Sequence, residues 1–251
     1  MFSAHHRSPL DPDALAFCAA TGATDIRGLS DFARGVKNLG LWSHMVCWPL
    51  IASQNAGTGT TAYSFGGLGS YPGTLVNGPT WGSGGITFGG STVMTAPVSY
   101  TDYASFCFCV ARHADASGIQ MAMQNGAAYA SDALVYVYTS ESPANIVSAW
   151  AEDWGHSTVN TPTGQYHAYG WSQTTSTTGV GVVDGISEAR SGTTGIDPST
   201  TVSSTIGAAD ANAYPWVGEI ALSAIFKGAA ADFGQLNALY KATLGKGLGL
   251  P

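Results

Sequence analysis

The feature that most constrains this chain is a long succession of short extended segments that begins at Leu41. Runs of apolar or alternating residues follow one another, separated by clusters of Gly, Pro, Asn and Thr. Many short strands with little helix between them favour antiparallel sheets packed face to face. The sequence therefore predicts an all-β, two-sheet antiparallel sandwich. Its predicted strands cover residues 43–50, 62–66, 73–77, 84–89, 92–96, 104–113, 119–124, 133–139, 146–154, 165–173, 179–184, 186–190, 202–207 and 217–227.

One predicted strand, residues 104–113, is apolar on both faces. Phe106 and Phe108 share one face, whereas Cys107 and Cys109 share the other. A strand with two apolar faces is covered on both sides, so we expect this one at the centre of a sheet. For the segment 218–226, simple alternation predicts two faces. One face carries Ile220, Leu222, Ala224 and Phe226, and the other carries Glu219, Ala221, Ser223 and Ile225.

Capping and turn residues mark the remaining local structure. Asp11 followed by Pro12 predicts the start of a short helix, and residues 25–39 repeat apolar positions at helical spacing. Asp232 has the spacing to Gln235 of a capping box and predicts a C-terminal helix. Asp184 with Gly185 predicts a two-residue hairpin turn.

Charge and composition bear on the partners of the chain. Charged residues make up only 10% of it, against about 25% in a typical domain, and the net charge is −7. Lys and Arg form no run, so the sequence predicts no nucleic-acid partner. A sparsely charged Ser/Thr-rich surface fits either a solvated surface or one that packs in an assembly or against carbohydrate.

The N-terminus and the cysteines bear on location. Residues 1–7 lack the apolar core of a signal peptide, and no stretch of about 20 apolar residues is present, so we expect a protein made in a cytoplasm without a membrane partner. Cys107 and Cys109 lie on one strand face, which is poor geometry for a mutual disulfide. The sequence also has no zinc-ligand spacing. We therefore predict that the four cysteines are buried reduced thiols and that no metal is bound.

Three stretches carry a family resemblance. They are residues 48–50 with 57–64 and 73–81, residues 166–171 with 180–186, and residues 205–207 with 216–220. Together they resemble the concanavalin A-like, laminin-G-like jelly-roll family, which implies a jelly-roll sandwich over residues 41–251 with a C-terminal helix. Many relatives place Asp or Glu after the W-P-L motif, where this chain has Ile51. That departure weakens an inferred calcium site.

The first 40 residues carry a second resemblance. Residues 17–22 read F-C-A-A-T-G, and residues 33–45 end in G-L-W-S-H-M. This pair is similar to the amino-terminal segment of bacteriophage tail and other virion proteins. The resemblance implies that residues 1–40 are a tail and helical docking segment that contacts other capsid or tail proteins. It also implies a homo-oligomer located in the virion, where release by lysis needs no signal peptide.

Catalytic groups are not evident in the sequence. Relatives that hydrolyse β-glucans carry paired carboxylates on one strand face in an E-x-D-x-x-E pattern. None of Glu141, Glu152, Glu188 and Glu219 has an acidic residue two positions on, and the G-x-S-x-G nucleophile motif is absent. We therefore predict no catalytic residues, no enzymatic activity and no cofactor.

Aromatic side chains supply the candidate ligand-binding residues. Trp150 and Trp154 share one face of a predicted strand, and Tyr166 lies on a predicted neighbour. Such a row could stack sugar rings on an exposed sheet face, or it could belong to the core. The preferred hypothesis is a non-catalytic structural or decorating protein of a phage particle that contacts cell-surface glycans. The alternatives are a soluble carbohydrate-binding module and a glycoside hydrolase of the same fold.

Overall fold

The computed structural model describes most of the chain, in several stretches. They are residues 8–98, 105–114, 120–125, 135–140, 146–147, 159, 161–175, 177–191, 204–208, 215–230 and 232–251. Three α-helices are present in them: α1 (Pro12–Thr21), α2 (Ile26–Asn38) and α3 (Phe233–Ala242). The strands are β1 (Met45–Pro49), β2 (Thr61–Ala62), β3 (Gly73–Val76), β4 (Thr80–Trp81), β5 (Ile86–Phe88), β6 (Val93–Ala96), β7 (Phe106–His113), β8 (Gln120–Asn125), β9 (Val135–Ser140), β10 (Ile146–Val147), β11 (His167–Gln173), β12 (Thr178–Val183), β13 (Ile186–Ser191), β14 (Ser204–Ile206) and β15 (Gly218–Phe226).

These strands form two antiparallel sheets. The larger sheet has eight strands, in the order β13-β12-β11-β7-β15-β5-β4, with β1 paired to β15 beside that path. The smaller has seven strands, in the order β10-β9-β8-β14-β6-β3-β2. Every strand pair is antiparallel. The predicted fold class, an all-β two-sheet sandwich with N-terminal and C-terminal helices, is confirmed.

The large sheet is covered on both faces, so the described part of the chain has two apolar cores. The first lies between the sheets, where Trp48, Cys109 and Trp171 of the large sheet meet Met94 and Ile206 of the small one. The second lies outside the large sheet, beneath the helices. Its fully or almost fully buried members include Leu29, Phe32, Val36, Phe106, Phe108, Leu222, Phe226, Leu236 and Tyr240. The structure thus adds a helical layer to the sandwich.

Strand β7 confirms the prediction of a central strand buried on both faces. It pairs with β11 on one side and with β15 on the other. Cys107 and Cys109 point into the core between the sheets, while Phe106 and Phe108 point towards the helices. All four cysteines are buried thiols outside any disulfide, and burial raises the pKa of Cys109 to about 12, which keeps it protonated.

Strand β15 departs from the simple alternation predicted for it. A register shift against β7 falls between Ile220 and Leu222. As a result Ile220 and Ile225 both face the inner core, whereas Ala221 and Leu222 both face the helices. The predicted shared face of Ile220 and Leu222 was wrong because a β-bulge inserts one residue and reverses the alternation beyond it.

Helices α1 and α3 begin after the capping residues that the sequence predicted, Asp11 and Asp232. The Asp11 carboxylate accepts hydrogen bonds from Asp13 N and Ala14 N, and it also binds Lys37 Nζ of α2 at 2.7 Å. Asp232 accepts the Gln235 backbone N–H at 3.0 Å. Within the described residues, no helix is long and apolar enough to cross a membrane.

Candidate functional site

Three polar side chains meet on the helix-covered side of the large sheet, at one end of its central strands. Tyr166 stands just before β11, Arg112 near the end of β7 and Glu219 near the start of β15. An Arg112 nitrogen lies 2.8 Å from a Glu219 oxygen, and the guanidinium carbon lies 5.1 Å from the centre of the Tyr166 ring. The Tyr166 hydroxyl donates to Glu219 and lies 2.8 Å from the Gly84 carbonyl oxygen. We call this group the Tyr166 trio.

Strand register explains why these residues meet. Arg112 and Glu219 are direct partners across the β7–β15 pair, and direct partners in an antiparallel pair point to the same face. Gly218 makes this approach possible, because its φ is 146° and a Cβ there would collide with the Arg112 carbonyl oxygen. Gly84 also leaves room for the trio, since a Cβ there would overlap the Tyr166 hydroxyl and Glu219.

The electrostatics of the trio keep the phenol neutral. Burial raises the pKa of Tyr166 above its ordinary value, the Glu219 carboxylate raises it further, and Arg112 opposes the change. At neutral pH Tyr166 is therefore a hydrogen-bond donor that holds Glu219 in one position. Arg112 and Glu219 keep 38% and 21% of their side-chain surface exposed, so both also reach solvent.

The trio forms part of the wall of an open cleft of about 320 Å³, which we call the Tyr166 cleft. The turn between β4 and β5 contributes Ser83 and Gly84, and the C-terminal segment contributes Gly247 and Leu248. The lining is mostly polar, with Leu248 as its apolar element. A lining of this kind suits a ligand rich in hydrogen-bonding groups.

A second cleft, of about 330 Å³, adjoins the first at the start of α2. We call it the Gln54 cleft. Gln54 is 3% exposed, and its Nε2 donates to Asp25 at 3.0 Å and to the Leu244 carbonyl oxygen at 2.8 Å. These bonds tie the C-terminal segment to the N-cap of α2. The remaining lining residues are Arg27, Gly28, Asp31, Ile51, Ser53, Ser83, Thr243, Lys246, Gly247 and Leu248.

The structure places one of the three predicted ligand residues. Tyr166 is 5% exposed and supports the cleft from beneath Arg112, while Trp150 and Trp154 lie outside the described residues. A glycan-stacking row of all three therefore stays a prediction. The predicted absence of a metal also stays a prediction, although the described residues contain no group of three or more His, Cys, Asp or Glu that could hold an ion.

Sequence reasoning missed Arg112 as a site residue and considered Glu219 only as a candidate for hydrolysis. Tyr166 and Glu219 are 53 residues apart in the chain, and only the strand order places them together. The local signal that was available is the isolated charge of Arg112 and of Glu219, each near the end of an otherwise apolar strand. Read with the register of β7 and β15, that signal would have paired them.

Known proteins resemble this chain in structure only. No protein-family model matches it, and no curated protein matches its sequence. A sialidase of Trypanosoma rangeli in complex with sialic acid superposes with a TM-score of 0.57 at 12% identity, over 88% of this chain and 40% of the sialidase. The binding domain of botulinum neurotoxin serotype D gives a TM-score of 0.55 at 6% identity, over 81% of this chain and 53% of that domain.

A third structure is more distant in shape. Domain 4 of AbnA, an extracellular arabinanase of Geobacillus stearothermophilus in complex with arabinotriose, gives a TM-score of 0.41 at 16% identity, over 78% of this chain and 87% of that domain. The chain spans less than two thirds of the sialidase and of the toxin domain. The first two likenesses show the β-sandwich fold.

Proposed function

We propose that this chain is a non-catalytic carbohydrate-binding β-sandwich module and that the Tyr166 cleft binds the sugar. The observation that carries the proposal is the Tyr166 trio, a preorganised set of hydrogen-bonding groups in which buried Tyr166 supports the partly exposed Arg112 and Glu219. The sialidase with sialic acid, which shares the sandwich fold, is in keeping with a glycan ligand.

The trio has the groups that a sugar needs. A guanidinium has five N–H donors and a carboxylate has several acceptor positions, so the Arg112–Glu219 contact leaves both with capacity for ligand hydroxyls. Tyr166 holds the two side chains in place before a ligand arrives, which lowers the entropy lost on binding. Leu248 offers an apolar contact for the C–H surface of a sugar ring.

The non-catalytic part of the proposal rests on the carboxylates. Glycoside hydrolysis ordinarily needs two carboxyl groups on either side of the bond, about 5–9.5 Å apart. Among the described residues that line the Tyr166 cleft, Glu219 is the only carboxylate, and it is engaged by Arg112 and Tyr166. We expect no release of reducing sugar from any oligosaccharide that the protein binds, and steady release would refute this part of the proposal.

A glycan array followed by calorimetry tests the binding. We expect the protein to retain a subset of glycans and Glu219→Gln to bind them at least tenfold more weakly, because the variant keeps the shape but loses the charge-assisted bonds. Glu188→Gln is the matched control, since Glu188 lies on β13 and is separated from β15 by β12, β11 and β7. Binding that survives Glu219→Gln unchanged would remove the Tyr166 cleft from the proposal.

The location of the protein on a bacteriophage particle is a separate proposal, supported by the resemblance of its first 40 residues to virion proteins. Mass spectrometry of purified particles tests it. We expect the chain among the particle proteins, at hundreds of copies for a capsid position or at a few to dozens for a tail position. Absence from purified particles would refute it and would leave the soluble carbohydrate-binding module.

A further inference from the structure

We infer that the Tyr166 cleft and the Gln54 cleft are two subsites of one site, which takes a neutral oligosaccharide of two or more sugars rather than an acidic sugar. The inference rests on the proposed carbohydrate-binding function and specifies its ligand. Three observations support it: the clefts share three wall residues, their charges balance, and a buried acceptor in the second cleft receives no hydrogen bond from the described residues.

The shared wall is the first observation. Ser83, Gly247 and Leu248 belong to the walls of both clefts. Each cleft alone, at about 320–330 Å³, is at the small end of the range for ligand sites, and the two together reach the middle of it. A chain of sugars that crosses Gly247 and Leu248 would occupy both.

Charge is the second observation. The Tyr166 cleft has one cation, Arg112, and one anion, Glu219. The Gln54 cleft has two of each, with Arg27 Nε 3.3 Å from Asp31. The cations are thus matched in number by carboxylates in each cleft. A carboxylated sugar would bring its negative charge close to Glu219 or Asp31, which repel it, whereas a neutral sugar meets no such repulsion.

The third observation is the Gln54 side chain. Its Nε2 donates two hydrogen bonds, but its Oε1 is buried and receives no hydrogen bond from the described residues. A buried acceptor without a donor is costly, and the natural remedy is a donor from a bound molecule or water. Sugar hydroxyls are donors, whereas an ionised carboxylate can only accept. This cleft therefore favours a hydroxyl-rich ligand that brings a donor to Gln54 Oε1.

The experiment uses the full chain and an array that carries neutral oligosaccharides of one to six sugars, each beside its sialylated counterpart. We expect retention of neutral members, with calorimetric affinity that rises at least tenfold between one sugar and two or three. We expect Ser83→Trp, at the wall shared by the clefts, to remove that rise. Ser91→Trp is the matched control, because Ser91 is also an exposed turn serine but lies outside both clefts.

Nuclear magnetic resonance tests directly whether one ligand reaches both clefts. On titration with the tightest-binding neutral oligosaccharide, we expect both the Gln54 side-chain amide and the Arg112 guanidinium resonances to shift. Retention of no glycan at all would refute the proposed function. Retention with an affinity independent of length, a preference for sialylated members, or shifts confined to Arg112 would instead overturn this inference and leave the proposed function standing.

Discussion

At the scale of single residues, the hydroxyl of Tyr166 fixes the site. It donates to Glu219 on β15 and lies 2.8 Å from the Gly84 carbonyl oxygen on the β4–β5 turn, and its ring lies under Arg112. One phenol thus connects the turn, the central strands and the cleft. A neighbouring example is Asp184, which closes the β12–β13 hairpin at φ 51° and binds His167 at 2.7 Å.

The first prediction concerns that hydroxyl. We expect Tyr166→Phe to lower the free energy of unfolding by about 1–2 kcal/mol, because the single hydroxyl proton that Glu219 and the Gly84 carbonyl oxygen both face is lost. Urea denaturation followed by circular dichroism measures the change. Tyr63→Phe, at a tyrosine with 39% of its surface exposed, serves as the control. A Tyr166→Phe protein as stable as the parent would contradict this account.

The second prediction concerns pH. Burial is the main cause that raises the pKa values of Tyr166, Tyr169 and Tyr240 above the ordinary value of 10.0. The three phenols therefore stay protonated in the folded protein at pH values where the unfolded chain ionises. Their contribution to stability is complete below about pH 10 and is lost as pH rises through the folded pKa values. Urea denaturation between about pH 8 and pH 11 should show this loss, and constant stability across that range would contradict it.

At the scale of elements, β15 is the most informative strand. One of its edges pairs with β5 at Gly218–Ile220 and with β1 at Leu222–Phe226, while the other edge pairs with β7 throughout. The bulge between these two halves lets Ile220 face the inner core and keeps Leu222 under the helices. Strand β15, which carries Glu219, thereby connects the Tyr166 trio to both apolar cores.

The third prediction follows from the start of this strand. We expect Gly218→Ala to cost more than about 2 kcal/mol of unfolding free energy, because the φ of 146° disfavours a side chain and the new Cβ would push the Arg112 carbonyl oxygen away. Gly89→Ala is the matched control, since a Cβ there meets nothing within 4 Å. Equal stability of the two variants in urea denaturation would show that β7 and β15 can separate at little cost.

Helices and strands followed from the sequence because their signals are local. Asp11 and Asp232 marked helix starts, Asp184 with Gly185 marked a hairpin, and the two apolar faces of β7 marked a central strand. The short strand β4 was missed because two residues, Thr80 and Trp81, carry no periodicity. The bulge in β15 was missed because alternation alone does not reveal an inserted residue.

The Tyr166 trio could not be predicted in the same way. Arg112 lies on β7, Glu219 lies on β15 and Tyr166 immediately precedes β11, and these strands become neighbours only through the order β11-β7-β15. The sequence shows each as an isolated polar residue at a strand end, and nothing local selects one partner from many. The predicted aromatic row, by contrast, rested on alternation within one segment, and the described structure includes that segment only at Ile146–Val147.

At the scale of the whole molecule, the helical layer is part of the folded body. Leu29, Phe32 and Val36 of α2 are fully buried in the outer core with Phe106 and Leu222 of the large sheet. Helix α3 closes the same core, with Phe233 5.4 Å from Phe106 between ring centres. The structure therefore has three layers. The smaller sheet covers one face of the larger sheet, and the helices shield part of the other face from solvent.

The fourth prediction concerns this layer. We expect a chain that starts at Leu41 to expose the apolar face around Phe108 and Leu222 and to aggregate or fold incompletely, because an exposed patch of that kind is not stable in water. Dye binding and size-exclusion chromatography measure it, with removal of residues 1–7 alone as the control. A monomeric, cooperatively folding chain from Leu41 would establish residues 1–40 as a separable docking segment.

The burial of β7 on both faces has a consequence for how the molecule opens. Its amides are hydrogen-bonded to β11 and β15. We expect water to reach them only after the helical layer and the smaller sheet have both detached from the strand. Hydrogen–deuterium exchange in β7 should therefore be the slowest in the chain and should report the global opening free energy. Edge strand β13, paired on one side by β12, should exchange through smaller local openings.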